Sequence, residues 1–249
     1  MRRLFPVLIL LFCCLPAACA PAKKAKPEGP GVHYILGISY LREGNPTKAL
    51  QEFQKAQVAT PREPDVYVGL GQTYHQKGAY EEAEKSYLQA LKLRPDDPLT
   101  ENNLGALYLD MERLDDAIRY FRKASSSMTF TNAEVAFTGL GYAHFLKGEY
   151  LEAITSYEKA LAHNRNYAQA HMRLGEVYYA MGKTDRAIGE YLQALKMAGD
   201  YPLAHLQLGL AYMKQGAVEK ARLSFQNVLH LAPDSEMATQ AENYLEVLK

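Results

Sequence analysis

The hydrophobic positions of this chain repeat. A Leu-Gly pair recurs at Leu36-Gly37, Leu70-Gly71, Leu104-Gly105, Leu140-Gly141, Leu174-Gly175 and Leu208-Gly209, with glycine spacings of 34, 34, 36, 34 and 34. Three residues after each glycine stands Tyr40, Tyr74, Tyr108, His144, Tyr178 or Tyr212. Alanine follows at Ala49, Ala83, Ala117, Ala153, Ala187 and Ala221, then an aromatic ring at Phe53, Tyr87, Phe121, Tyr157, Tyr191 and Phe225. Ala56, Ala90, Ala124, Ala160 and Ala194 come next, with Val228 departing in the sixth unit. The spacing predicts two antiparallel helices per unit, A and B. Small residues sit where the axes cross, and Leu, Tyr and Phe fill the space around them. Gly44, Gly78, Gly148, Gly182 and Gly216 fall between A and B, where a left-handed residue ends a helix; Glu112 takes that place in unit three. Pro61, Pro95 and Pro233 stop helix B in units one, two and six. After the last unit, Ser235 can cap a helix, and Met237, Ala241, Tyr244, Leu245 and Leu248 form an apolar stripe. Thirteen helices and no strands are expected.

A period of 34 with these residues resembles the tetratricopeptide repeat. The resemblance covers residues 30 to 234 and implies an all-α, right-handed superhelical solenoid. Its six helical hairpins would span 30–63, 64–97, 98–133, 134–167, 168–201 and 202–234. One hairpin cannot bury its apolar face alone, so the units stack, and the last needs a cover. Residues 235–249 would supply it as a capping helix.

The first residues read differently. Arg2 and Arg3 precede an apolar run from Leu4 to Leu15, followed by the small residues Ala17, Ala18, Cys19 and Ala20. This is the layout of a secretory signal, too short to span a bilayer, which takes ~20 residues. Leu15-Pro16-Ala17-Ala18-Cys19 resembles a bacterial lipobox, with Pro16 where the family has Leu. Residues 1–18 are then a lipoprotein signal peptide, Cys19 the acylated first residue, and 19–29 a flexible membrane tether. Cleavage after Ala20 or Ala22, giving a secreted or periplasmic protein, stays open. Ala20 after Cys19 is not the Asp that resembles an inner-membrane retention signal, which favours the outer membrane.

Composition narrows the function. The 28 basic and 28 acidic residues balance, unlike a nucleic-acid binder with its basic excess. Loss of Arg2 and Arg3 with the signal leaves 26 against 28 and a formal charge of −2, too small to select an electrostatic partner. Cys13, Cys14 and Cys19 are the only cysteines, so the body holds neither a disulfide framework nor a thiolate metal site. Such a body suits an oxidising compartment. The seven histidines show no ligand spacing. His33, His171 and His205 share one repeat place and read as packing residues, and His144 replaces a signature tyrosine. No catalytic motif or phosphate loop appears, so the chain reads as a non-enzyme without cofactor, metal or small-molecule substrate.

In the tetratricopeptide resemblance, helix A lines a concave surface, and the fifth, ninth and twelfth places of each repeat face a protein partner. Here these are Tyr34, Ile38 and Leu41; Val68, Gln72 and His75; Asn102, Ala106 and Leu109; Thr138, Tyr142 and Phe145; Met172, Glu176 and Tyr179; Leu206, Leu210 and Met213. The set is mostly apolar and nearly free of positive charge. A clamp for a C-terminal carboxylate, which uses Lys, Arg and Asn, is therefore rejected. An apolar groove suits an amphipathic helix or an extended hydrophobic peptide, with Tyr142, Phe145 and Tyr179 as anchors. Several of these side chains can instead pack between repeats. The stretch from Ser125 to Asn132 carries two extra residues and reads as a surface insertion, with a contact or hinge as the alternative.

Signal, Cys19, short tether, six repeats and a cap together resemble the type IV pilus biogenesis lipoproteins, the pilotins of the PilF/PilW type. That resemblance implies an outer-membrane scaffold facing the periplasm of a Gram-negative bacterium. Such a scaffold binds the secretin subunit, localises it and supports its oligomerisation. The alternative is a lipid-anchored periplasmic adaptor that recruits a protease or cell-wall enzyme to its substrates.

Overall fold

A computed structural model describes residues 31–249; the expected signal peptide, Cys19 and the tether to residue 29 lie outside the described residues. Thirteen helices follow one another: α1 (Gly31–Arg42), α2 (Pro46–Ala59), α3 (Pro64–Gln76), α4 (Tyr80–Leu93), α5 (Pro98–Asp110), α6 (Leu114–Ser126), α7 (Ala133–Leu146), α8 (Tyr150–His163), α9 (Ala168–Ala180), α10 (Thr184–Met197), α11 (Pro202–Gln215), α12 (Val218–Leu231) and α13 (Glu236–Val247). No strand occurs among the described residues.

Local chemistry sets the boundaries. Pro46, Pro64, Pro98 and Pro202 each open a helix, where the missing N–H has no intrahelical acceptor to serve. The side chains of Asn45, Asp97 and Ser235 accept from the N–H groups of Lys48, Thr100 and Ala238 at 3.0–3.1 Å. The five glycines between A and B helices all adopt φ of 70–78°, and Glu112 is forced to φ 57° at the equivalent place.

Packing follows the chain. Each helix touches only its neighbours one or two elements away, and every contact two elements away joins odd-numbered helices. The odd helices, the A helices, therefore form a continuous inner layer. The even B helices do not meet one another and lie on the outer, longer circumference. This is the geometry of a curved solenoid with A helices on the concave side.

The core is a row of aromatic rings. Phe53, Tyr87, Tyr157, Tyr191 and Phe225 are at most 1 % exposed and Phe121 3 %. Each lies against the Leu-Gly glycine of its own repeat: a β-carbon built on Gly37, Gly71, Gly105, Gly141, Gly175 or Gly209 would sit 2.5–2.8 Å from the ring. Glycine is demanded there by close approach. At the C-terminal end α13 buries Ala238 and Ala241, and Tyr244 stacks on Phe225 at 5.2 Å. The 125–132 stretch ends α6 at Ser126 and runs as turns to Ala133. Met128 at its tip is fully exposed, while Phe130 packs back on the core. No helix among the described residues is long and apolar enough to cross a membrane.

Candidate protein-binding groove

The eighteen partner-facing places all lie on A helices, hence on the inner layer, but they do not share one environment. The fifth place is mostly closed. Met172 is 0 % exposed, Leu206 3 %, Thr138 4 % and Val68 8 %. Met172, Leu206 and Val68 belong to the core between repeats and offer no contact surface, because the neighbouring repeat covers that turn of the helix. Tyr34 and Asn102 remain half-buried at the same place. The ninth place (Ile38, Gln72, Ala106, Tyr142, Glu176, Leu210) and the twelfth (Leu41, His75, Leu109, Phe145, Tyr179, Met213) are half-buried throughout. These two rows form the lining of the candidate groove.

Two zones differ in chemistry. Between α3 and α5 an opening of about 330 Å³ is lined by Gln72, His75, Gln76, Tyr87, Asn103, Ala106 and Asp110. His75 Nε2 lies 2.7 Å from the Asp110 carboxylate, so both polar side chains are engaged. Further along, Tyr142 and Phe145 lie with ring planes 22° apart at 6.4 Å, and Phe145 meets Tyr150 at 5.9 Å. Tyr142, Phe145 and Tyr150 thus form a continuous run of rings from α7 to the start of α8.

Sequence reasoning missed two charged groups here, Arg173 and Lys214. Arg173 sits beside the fifth place of repeat five, with its guanidinium carbon 4.1 Å from the centre of the Tyr142 ring. It donates to Glu176 at 2.8 Å. Burial opposes the charge on Arg173, and Glu176 more than restores it, so the guanidinium is held above its ordinary value. The groove does contain positive charge: Arg173 is paired with Glu176 and stacked on Tyr142, whereas Lys214 Nζ lies 4.6 Å from the centre of the Tyr179 ring with no ion-pair partner among the described residues. For Arg173 the only signal in the sequence was an Arg three residues before a Glu on one helix, a common surface pattern.

Five buried side-chain polar atoms lack a hydrogen-bond partner among the described residues: Asn102 Oδ1, Asn103 Nδ2, Thr138 Oγ1, Tyr157 Oη and Tyr191 Oη. Burial pushes the Tyr157 and Tyr191 phenols well above the usual tyrosine range, so both stay protonated and able to donate. The histidines of the fourth place are not plain packing residues. His33 pairs with Glu52 at 2.6 Å and His171 with Glu190 at 2.8 Å, each tying helix A to helix B. Among the described residues no cluster of three or more His, Cys, Asp or Glu could hold a metal ion.

Models of the tetratricopeptide repeat match the chain at 20–64, 71–112, 102–126, 141–182, 175–216 and 202–235. The chain belongs to the tetratricopeptide repeat family. No curated protein sequence matches this tetratricopeptide array. Among solved structures, pilF of Pseudomonas aeruginosa is similar with a TM-score of 0.75 and 20% identity, covering 88% of this chain and 99% of its own. PilW, a widely conserved type IV pilus biogenesis factor, is similar with a TM-score of 0.77 and 19% identity, covering 85% and 97%. MamA is 31% identical over 68% of this chain and 91% of its own, with a TM-score of 0.56. The first two likenesses establish the fold of the array and nothing finer.

Proposed function

We propose that this tetratricopeptide protein is a non-enzymatic scaffold of type IV pilus assembly. It is anchored through Cys19 to the outer membrane, faces the periplasm, and binds, localises and helps oligomerise the secretin. The observation that carries the reading is the end-to-end similarity to PilF and PilW. The matches cover 88% and 85% of this chain and 99% and 97% of the two solved chains. The half-buried ring and aliphatic row, Tyr142, Phe145, Tyr179, Leu210 and Met213, is the surface for an apolar segment of the partner. Large rings at such places supply most of an interface's energy.

Chemical cross-linking in the native cell envelope, followed by capture of the intact protein, tests the reading. Recovery of an outer-membrane secretin, lost on Phe145→Asp while helicity is unchanged, is the expected result. Recovery of a soluble periplasmic protease or cell-wall hydrolase would refute the pilus role and move the function to that of an adaptor.

A further inference from the structure

The two ends of the array are finished differently. At the C-terminal end α13 covers the last hairpin, and its outer side carries Glu236, Thr239, Gln240, Glu242, Asn243 and Glu246, all exposed. At the other end α1 is apolar on two sides. Tyr34, Ile38 and Leu41 pack on the core of the first hairpin. Val32, Ile35 and Leu36 stay outside it, 64, 66 and 39 % exposed. A helix that is apolar all round belongs in an apolar environment.

The same places are closed further along the chain. Val66, Thr100, Ala136, Ala170, Ala204 and Ala238 stand where Val32 does and are at most 2 % exposed. Leu70, Leu104, Leu140, Leu174 and Leu208 stand where Leu36 does and are at most 7 % exposed. The preceding repeat covers them, and no helix precedes α1 among the described residues. Ile35 departs in kind as well. Its place holds Gly69, Asn103, Gly139, Arg173, Gln207 and Ala241 later in the chain, small or polar residues in every case. At Gly69 and Gly139 the ring of the preceding repeat would lie 2.5 and 2.4 Å from an added β-carbon. A branched apolar side chain stands at this place only where no ring precedes it. Val58 is a second departure. It is 85 % exposed near the C-terminal end of α2, which lies beside the start of α1 in this antiparallel hairpin. Later units have Lys92, Ser126, Ala162, Lys196 and His230 there.

The composition of the preceding stretch and the size of the patch select the occupant. Residues 20–30, Ala-Pro-Ala-Lys-Lys-Ala-Lys-Pro-Glu-Gly-Pro, hold no apolar side chain larger than proline, so they cannot bury this face. A second copy lacks the surface, since four side chains fall well short of the ~800 Å² per partner of a stable interface. Cys19 stands twelve residues before Gly31, and twelve extended residues reach at most about 40 Å. A lipid on Cys19 therefore keeps the start of α1 near a bilayer at high effective concentration. Charge agrees. α1 carries no carboxylate, and Lys23, Lys24 and Lys26 outnumber Glu28 in the stretch before it, a balance drawn to anionic headgroups. The outer side of α13, with its three glutamates, is repelled by them. We infer that the outer face of α1, Val32, Ile35 and Leu36 with Val58 beside them, is a seat on the lipid bilayer. These side chains enter the boundary between headgroups and acyl chains, about 5–10 Å deep. The solenoid stands on its first hairpin, with α13 farthest from the membrane. The inference rests on the Cys19 anchor of the reading above and adds an orientation to it.

In the anchored protein Cys13 and Cys14 have left with the signal and the Cys19 sulfur carries the lipid, so one introduced cysteine is a unique labelling site. Intact lipidated protein carrying Val32→Cys, Ile35→Cys or Thr239→Cys is labelled with nitrobenzoxadiazole and reconstituted into vesicles of phosphatidylethanolamine and phosphatidylglycerol. All three positions are exposed, so helicity should match the parent. The protein should float with the vesicles. Labels at positions 32 and 35 should be blue-shifted, lose emission to brominated acyl chains and be spared by aqueous iodide; the label at 239 should do the reverse. Floating protein whose labels at 32 and 35 behave like that at 239 would overturn the seat and leave the anchor standing. Labels shielded from iodide yet untouched by brominated lipid would show a protein cover, from a second copy or residues 20–30, and would equally overturn it. Equal loss to brominated lipid at all three positions would overturn the orientation. Protein that does not float would overturn the anchor, and the seat with it.

Discussion

Replacing Gly139 or Gly189 by alanine adds the same methyl group to the interior of a helix, α7 in one case and α10 in the other. At Gly139 the new β-carbon would fall 2.4 Å from Cε1 and 2.5 Å from Cζ of Phe121. Carbon atoms pack best at about 3.5–4.0 Å, so the overlap is about 1 Å or more. Phe121 cannot retreat, since its other face lies on Gly105, where a β-carbon would be 2.8 Å away. Overpacking of this kind costs about 1–3 kcal/mol, against a helix-propensity gain of about 1 kcal/mol. The net effect of Gly139→Ala is a loss of about 0–2 kcal/mol. At Gly189 nothing lies within 4 Å of the built carbon, and the propensity gain stands alone. Thermal unfolding followed by circular dichroism should show Gly139→Ala melting up to roughly 8 °C below the parent and Gly189→Ala roughly 2–4 °C above it. A Gly139→Ala variant that melts as far above the parent as Gly189→Ala does would refute the clamped-ring account, since the propensity gain would then stand unopposed.

Glu112 holds φ 57° where five other repeats have glycine, so Glu112→Gly should stabilise by about 1 kcal/mol, read as an upward shift in the urea midpoint. His171 is held above its ordinary value chiefly by its hydrogen bond to Glu190, so its contribution is complete below the ordinary histidine pKa and disappears as pH rises through the raised one. His171→Gln should therefore lower the melting temperature at pH 5.5 and much less at pH 8.5; an equal loss at both would exclude the ion pair as the cause. Cys19→Ala should move the protein from the membrane pellet to the soluble fraction of the periplasm; unchanged membrane retention would sink the lipid anchor.

The order in which these features became legible has a physical reason. The repeat, the thirteen helices, the glycine turns and the ring-on-glycine contacts depend on residues within one hairpin or its immediate neighbour. A period of 34 writes those contacts into the chain directly. Which groove places are open was not legible. Met172, Leu206 and Val68 share a repeat place with half-exposed Tyr34 and Asn102, and only the packing of the adjacent repeat separates them. Histidines read as packing residues proved to be paired with Glu52 and Glu190, nineteen residues away on the facing helix. Arg173, which would have weighed against a neutral groove, is cancelled by Glu176 and covered by Tyr142. The sequence by itself determined the architecture, because helical periodicity and hairpin closure are local. The tertiary structure decided exposure, charge pairing and the unsatisfied hydroxyls of Tyr157 and Tyr191, because each depends on how one repeat lies against the next.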